Sequence, residues 1–322
     1  MKHALRMLVL TALFGTAFPA AAQAWPSKPV KLIVSQAAGG APDIVARLVS
    51  DRLSRTWGQQ VLVENRPGSG NVIGAQLAAR AAPDGYTLFF ATAAALVTNP
   101  YTFKSLPYDP ARDFVPVGMV GKAPFLVLVH PSVPAKTLAE LFALDKAEPG
   151  KLTYATDGPR NFSGMVAAWL NKLGGVDIMQ VPYATMPQGI QDTVAGRTQL
   201  AILAIPVARP QIQRGALRPL AFTAAKRAPG FDNVPPVAET FPGFDFVGWF
   251  GIVAPTGTPQ EVIQRANRDL DAVMKDPEVV GKLLGMGIFA DGADTPEGFG
   301  AFIRSELTSW GKVVKEIGLQ PE

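Results

Sequence analysis

The sequence predicts an α/β protein of two lobes joined by a hinge of two crossing segments, and three observations carry that expectation. From Val30 onward, short β-rich runs alternate with segments of helical period, the pattern of an α/β fold with largely parallel sheets. Once an N-terminal leader is set aside, roughly 300 residues remain, more than one compact core usually serves. An apolar strand, Val247 to Val253, then returns after a second α/β set, as it would if one lobe were interrupted by another. The division expected is residues 25–120 with 247–322 for lobe 1 and 121–246 for lobe 2, with crossings near Val115 to Gly121 and Val247 to Val253. A single large sheet is the alternative.

The leader comes first in the chain. Lys2 and Arg6 precede an apolar run from Met7 to Phe18, which gives way to Ala22-Gln23-Ala24. This is a signal peptide of residues 1–24 with a mature start at Trp25, because about a dozen apolar residues fall short of the roughly twenty a bilayer span requires. No later stretch reaches that length without charge or proline. With no cysteine, the chain carries neither a lipid anchor nor disulfide or thiol chemistry. An exported protein that is not membrane-embedded is expected. Removing Lys2 and Arg6 lowers the 30 Lys and Arg to 28 against 26 Asp and Glu, a net charge of +2 that offers no nucleic-acid footprint. His130 is the one histidine left after His3 departs, which removes most zinc sites and Ser-His-Asp triads. No metal and no cofactor is expected.

In lobe 1, strands are expected at Val30 to Val34, Val61 to Glu64 and Thr87 to Ala91, with helices at Asp43 to Trp57 and Val72 to Ala81. Ile44, Val45, Leu48, Val49 and Leu53 share one face of the first helix and read as core. After the Pro- and Asp-bearing stretch Pro107 to Pro116, strands follow at Phe125 to Val129, Leu152 to Ala155, Ile178 to Val181, Leu200 to Ala204 and Leu217 to Thr223. Helices fit at Thr137 to Ala147, Ser163 to Leu173 and Pro187 to Ala195. Pro259 to Met274, Pro277 to Leu284 and Pro296 to Ile317 close the chain as helices.

Open α/β sheets bind ligands beyond the carboxyl ends of their strands, so the loops that follow strands are the candidates. The first runs Gln36-Ala37-Ala38-Gly39-Gly40-Ala41-Pro42-Asp43, with Asp43 a plausible N-cap. Gln36, Ala38, Gly39 and Gly40 are candidate contacts, since glycines permit close backbone approach and free N–H groups at a helix start favour an anion. A tight turn explains the glycines equally well, and the Gly-x-Gly-x-x-Gly spacing of a dinucleotide site is absent. In Asn65-Arg66-Pro67-Gly68, Arg66 is expected to pair with Glu64 rather than bind ligand. Thr92 and Ala93 follow the third strand and offer a hydroxyl beside open space.

In lobe 2, Asp157, Gly158, Arg160, Asn161 and Ser163 surround a helix start, where cationic and neutral donors suit a carboxylate. Asp157 could equally cap that helix or hold Arg160. Tyr183, Thr185 and Ile205 end the next two strands and complete the candidates.

In their order these segments resemble the substrate-binding proteins of tripartite tricarboxylate transporters, the TctC or Bug family. The resemblance covers nearly the whole mature chain: Trp25-Pro26-Ser27-Lys28-Pro29, Gly39-Gly40 with Asp43 and Ala46-Arg47, Val63-Glu64-Asn65-Arg66-Pro67-Gly68, and Pro83-Asp84-Gly85-Tyr86-Thr87-Leu88. It continues through Arg112-Asp113-Phe114 with Pro116-Val117, Pro149-Gly150-Lys151-Leu152, Val181-Pro182-Tyr183 with Asp192 and Gly196, Ala254-Pro255-Thr256-Gly257-Thr258-Pro259, and Trp310. The resemblance implies a type II-like two-lobe periplasmic binding protein that captures a small carboxylate, a dicarboxylate or an aromatic acid, partly near the Gly39-Gly40 loop. It implies delivery to a two-component membrane transporter, with presentation to a sensor kinase as the alternative.

Three stretches depart from the family pattern. Gln36-Ala37-Ala38 replaces a proline-rich approach to Gly39. Gly158-Pro159-Arg160-Asn161 replaces a Gly-x-Gly-Ser/Thr run, and Ala184-Thr185 stands where Lys or Arg and Gly are usual. An enzyme on the same fold would need an acid–base pair such as Asp157 with Tyr183, or His130 at the cleft. A binding protein needs neither, and no catalytic residue is expected.

Overall fold

The computed structural model describes residues 25–321 except positions 157, 184, 185, 228 and 229. The expected leader, and the candidates Asp157 and Thr185, lie outside the described residues. The first half of the chain runs β1 (Val30–Val34), α1 (Ala41–Trp57), β2 (Val61–Asn65), α2 (Val72–Ala79), β3 (Thr87–Thr92), α3 (Asn99–Thr102), β4 (Phe114–Ala123), β5 (Phe125–Val129), α4 (Leu138–Ala147) and β6 (Thr153–Thr156). It continues with α5 (Phe162–Gly174), β7 (Met179–Pro182), α6 (Met186–Val194), β8 (Leu200–Ala204), α7 (Ile205–Gln213), β9 (Arg218–Phe222), β10 (Gly248–Pro255), α8 (Gln260–Met274), α9 (Pro277–Gly285) and α10 (Pro296–Glu316).

The strands form two five-stranded sheets, ordered β2-β1-β3-β10-β4 and β7-β6-β8-β5-β9, which disposes of the single-sheet alternative. The sequence predicts largely parallel sheets, but both sheets are mixed. β1 pairs parallel with β2 and β3, but β10 runs antiparallel to both β3 and β4. β6 pairs parallel with β7 and β8, but β5 runs antiparallel to both β8 and β9. The crossings explain the reversal. β4 leaves the first sheet to begin β5, and β10 re-enters it after the second sheet is complete. A strand that enters a lobe must run against those whose carboxyl ends face the opposite lobe. The carboxyl ends of β1 and β3 therefore confront those of β6, β7 and β8.

Each crossing is short. Pro124 separates β4 from β5, and Val247 precedes β10. Thr223 stitches them together: its hydroxyl accepts from Phe125 N (3.0 Å), its N–H donates to the Phe125 carbonyl (3.0 Å), and its carbonyl accepts from Phe246 N (2.9 Å). Ala123 and Gly248 are partners in the β4–β10 ladder, so the way out and the way back lie side by side.

Buried apolar residues cover both faces of the first sheet. Val45, Val49 and Leu53 of α1 pack with Leu270 and Val273 of α8 on one face, and Ala75 and Ala78 of α2 with Phe299 and Trp310 of α10 on the other. The second of these cores runs on into the second sheet. The Trp310 ring sits 5.6 Å from Phe162 of α5 and 5.0 Å from Phe246.

Helix starts follow local rules. Thr137, Asp276 and Thr295 each accept backbone N–H bonds with their side chains, at α4, α9 and α10, and Pro277 and Pro296 occupy first-turn positions where no N–H is missed. Two elements were not foreseen. α3 is a four-residue helix that no expected segment covers, whereas β4 fills the crossing expected near Val115 to Gly121. α7 carries Pro206 in its first turn and Pro210 inside, which disguise it as a loop. No helix among the described residues is long and apolar enough to cross a membrane.

Candidate functional site

The turn after β1 is braced by hydrogen bonds and depends on glycine at one place. Gly39 adopts φ 82°, a left-handed conformation that side chains disfavour, whereas Gly40 caps α1 in an extended conformation (φ −74°). Asp43 is not the N-cap. It is buried in the first turn and reaches back, accepting from Gly39 N (2.9 Å), Arg47 Nε (3.0 Å) and Asn65 Nδ2 (3.0 Å). Burial alone would raise its pKa, but the hydrogen bonds from Arg47, Gly39 and Asn65 outweigh it and keep the carboxyl below its ordinary value. Asn65 Nδ2 also donates to the Gln36 carbonyl at 3.0 Å, so the second loop braces the first. Arg66 pairs with Glu64, its Nε 2.6 Å from Oε1, in keeping with the structural role expected of it.

Asn71 caps α2 in a left-handed conformation, φ 78°, and its Oδ1 accepts from Ser35 Oγ at 3.1 Å. After β3 the chain enters a π-helical turn, Ala94–Thr98, that leads directly into α3. The Thr92 hydroxyl oxygen accepts from Ala95 N inside that turn (3.3 Å). Asn99 is buried and donates to the Gly70 carbonyl at 2.8 Å, tying α3 to the loop before α2.

Across the gap, the loop from β6 to α5 turns at Gly158 (φ 118°), and Asn161 occupies the N-cap of α5. A β-carbon on Gly164 would overlap the Gly158 carbonyl, so the loop lies flat on the first turn of α5. A cavity of about 730 Å3 opens between the lobes here. Asn71, Ala93, Thr98 and Asn99 wall it on one side, and Gly158, Arg160, Asn161 and Phe162 on the other. A smaller recess of about 190 Å3 adjoins at the carboxyl end of β8, where Ser163 meets Met186, Ala204 and apolar neighbours. A third cavity, about 610 Å3, lies behind the crossings between the β4 and β9 edges, away from the facing strand ends.

Of the candidates read from sequence, Ala93, Gly158, Arg160 and Asn161 line the large cavity and Ser163 the recess. Gln36, Ala38, Gly39 and Gly40 lie at the carboxyl end of β1 but outside the walls of that cavity. Thr92 is turned inward. Tyr183 directs its hydroxyl to Asp192 (2.8 Å), which Arg197 also holds (2.7 Å). Ile205 is fully buried at the start of α7 beneath Gly287, whose β-carbon would fall 2.5 Å from the Ile205 Cβ. Asn71, Thr98, Asn99 and Phe162 also wall the large cavity and are not among the sequence candidates. Only Asn71 left a sequence signal, an Asn after Gly at a helix start, where a left-handed residue is tolerated.

Asp157, half of one acid–base pair that catalysis would need, lies outside the described residues, and its expected partner Tyr183 is bonded to Asp192 instead. Burial and the Asp192 carboxylate raise the Tyr183 pKa, so the phenol stays protonated. His130 lies at the carboxyl end of β5, the end away from the cleft, with Nδ1 2.7 Å from Ser132 Oγ. No cluster of three or more His, Cys, Asp or Glu suited to a metal occurs among the described residues.

Comparison with known proteins places this geometry. The family profile described as tripartite tricarboxylate transporter family receptor, TctC, matches residues 45–319. Protein BugT of Bordetella pertussis is 32% identical over 319 residues, covering 97% of this chain and 98% of its own. A solved R. palustris protein with adipate superposes with TM-score 0.81 at 32% identity, covering 92% of this chain and 100% of that one. MatC from Rhodopseudomonas palustris with bound malate gives TM-score 0.76 at 29% identity, covering 90% and 99%.

Proposed function

We propose that this chain, which belongs to the tripartite tricarboxylate transporter receptor family, captures a small organic carboxylate between its lobes and delivers it to a two-component membrane transporter. The family is one of solute-binding receptors rather than enzymes. The observation that carries the reading is the placement of the large cavity. It lies between the facing carboxyl ends of the two sheets, with Arg160 and Asn161 at the start of a 13-residue helix on one side and Asn71 and Asn99 on the other. A helix start with a guanidinium and amides around it is suited to an anion. Adipate and malate in the two solved relatives support a carboxylate.

Under this reading residues 25–120 with 247–322 and residues 121–246 are the lobes that close on the ligand, and residues 1–24 direct export to the periplasm. A thermal-shift screen of mono-, di- and aromatic carboxylates against the mature protein tests it. A ligand at a hundred times its Kd adds about 2.7 kcal/mol to stability, enough for a clear rise in melting temperature. A panel in which no carboxylate shifts the transition or gives heat on titration would sink the reading.

A further inference from the structure

We propose that the ligand is a monocarboxylate with an uncharged alkyl or aryl tail, the tail seated in the recess at the carboxyl end of β8. This rests on the carboxylate-binding reading above and narrows it.

The recess is built for something without charge. Ile202 and Leu203 of β8 and Ile190 of α6 form its floor, and Phe125, Met186 and Val207 its sides. Among the described residues that line it, Ser163 alone brings a polar side-chain atom. The volume, about 190 Å3, is somewhat more than the roughly 150 Å3 in which an apolar protein cavity holds one benzene ring.

The backbone around the recess points the same way. α6 and α7 both begin here, and a helix start ordinarily offers unpaired N–H groups to an anion. Each has proline as its second residue, Pro187 and Pro206, and proline has no N–H to offer. A second carboxylate in this space would lose its water and find few donors in return.

The recess lies next to the large cavity, since consecutive residues line the two. Phe162 lines the large cavity and Ser163, the next residue, lines the recess. The Phe125 and Phe162 rings stand 4.3 Å apart between the two spaces. A ligand with its carboxylate near the start of α5 thus directs its far end over β8.

Calorimetric titration of two matched pairs, hexanoate against adipate and benzoate against terephthalate, tests the assignment on the mature protein. The monocarboxylate of at least one pair is expected to bind ten times more tightly than its dicarboxylate partner, or better. Val207 is 44% exposed on the rim, so Val207→Lys should fold normally, and it places an ammonium where the second carboxylate would lie. That variant is expected to close the gap to within about threefold or reverse it. Dicarboxylates binding the wild type as tightly as their partners, or a ratio unmoved by Val207→Lys, would overturn the proposal and leave the carboxylate-binding reading standing. If no member of either pair binds, the monocarboxylate assignment falls, and the wider carboxylate panel decides the reading it rests on.

Discussion

Arg160 donates from Nε (3.3 Å) and Nη2 (3.2 Å) to the backbone carbonyl of Gln320, so the cation at the start of α5 also holds the C-terminal end of the chain. One guanidinium serves the cavity wall and a tether, and the two duties can be separated by experiment. Arg160→Ala is expected to weaken carboxylate binding on the order of a hundredfold, with Arg160→Lys recovering part, because lysine reproduces a planar bidentate contact poorly. Calorimetry and urea denaturation on the same variants distinguish the roles. Affinity kept within about twofold, with stability lowered, would make Arg160 a tether only.

The two glycines after β1 are expected to respond differently. Gly39→Ala places a β-carbon on a left-handed residue and should cost about 1 kcal/mol of stability. Gly40 has an ordinary φ, and a β-carbon there would meet only the Ala37 carbonyl at 3.4 Å and Pro42 Cδ at 3.8 Å. Gly40→Ala should therefore fold normally and lose affinity if the ligand approaches this backbone. Unchanged affinity in a titration would remove the loop from the site.

Thr223→Val tests the stitch between the crossings. Valine keeps the shape but leaves Phe125 N without its hydroxyl acceptor in a buried setting. The expected loss is about 1–2 kcal/mol, read from the midpoint of urea unfolding at unchanged slope. An unaltered midpoint would show that the Thr223 backbone bonds suffice.

Glu306 sets a pH dependence. It is buried on α10, 8% exposed, and burial together with the nearby Asp245 carboxylate pushes its pKa up to about 7 from an ordinary 4.5. The folded state therefore holds the proton more tightly than the unfolded chain. Its contribution is complete below about pH 4.5 and is lost as pH rises through about 7. Glu306→Gln is expected to be more stable than wild type at pH 8, by up to about 3 kcal/mol, with the difference vanishing near pH 4. The comparison must be made between the two proteins at each pH, since Asp43 and Asp271, with lowered pKa values, pull the other way in acid. A difference that stays constant from pH 4 to 8 would refute the assignment.

The alternation of β-rich and helical segments was legible because each buried strand is nearly continuous in apolar residues, as in Val30–Val34 and Phe125–Val129. Strand direction was not, because β10 and β5 have the same composition whichever way they run. The candidate site was legible where a glycine loop meets a helix start, at Gly158 to Ser163. It was hidden where contact depends on a side chain's local partner. Thr92 accepts from Ala95 N, a local bond the sequence does not show, and it is not among the cavity's walls. Asn99 looks remote, yet the π-helical turn before it brings it to the cavity wall.

Trp310 bears on how such a protein could move. Its ring touches Phe162 in one half of the molecule and Phe246 at the crossing, while its own helix packs on the other half. A door hung on two pins and strapped across the gap does not swing freely, and here the strap is an indole wedged between two phenyl rings. Any change in the angle between the halves must either carry the three rings together as one piece or pull them apart into water. The resting angle is thus set by aromatic packing at the far end of the chain as much as by the two strands that join the halves.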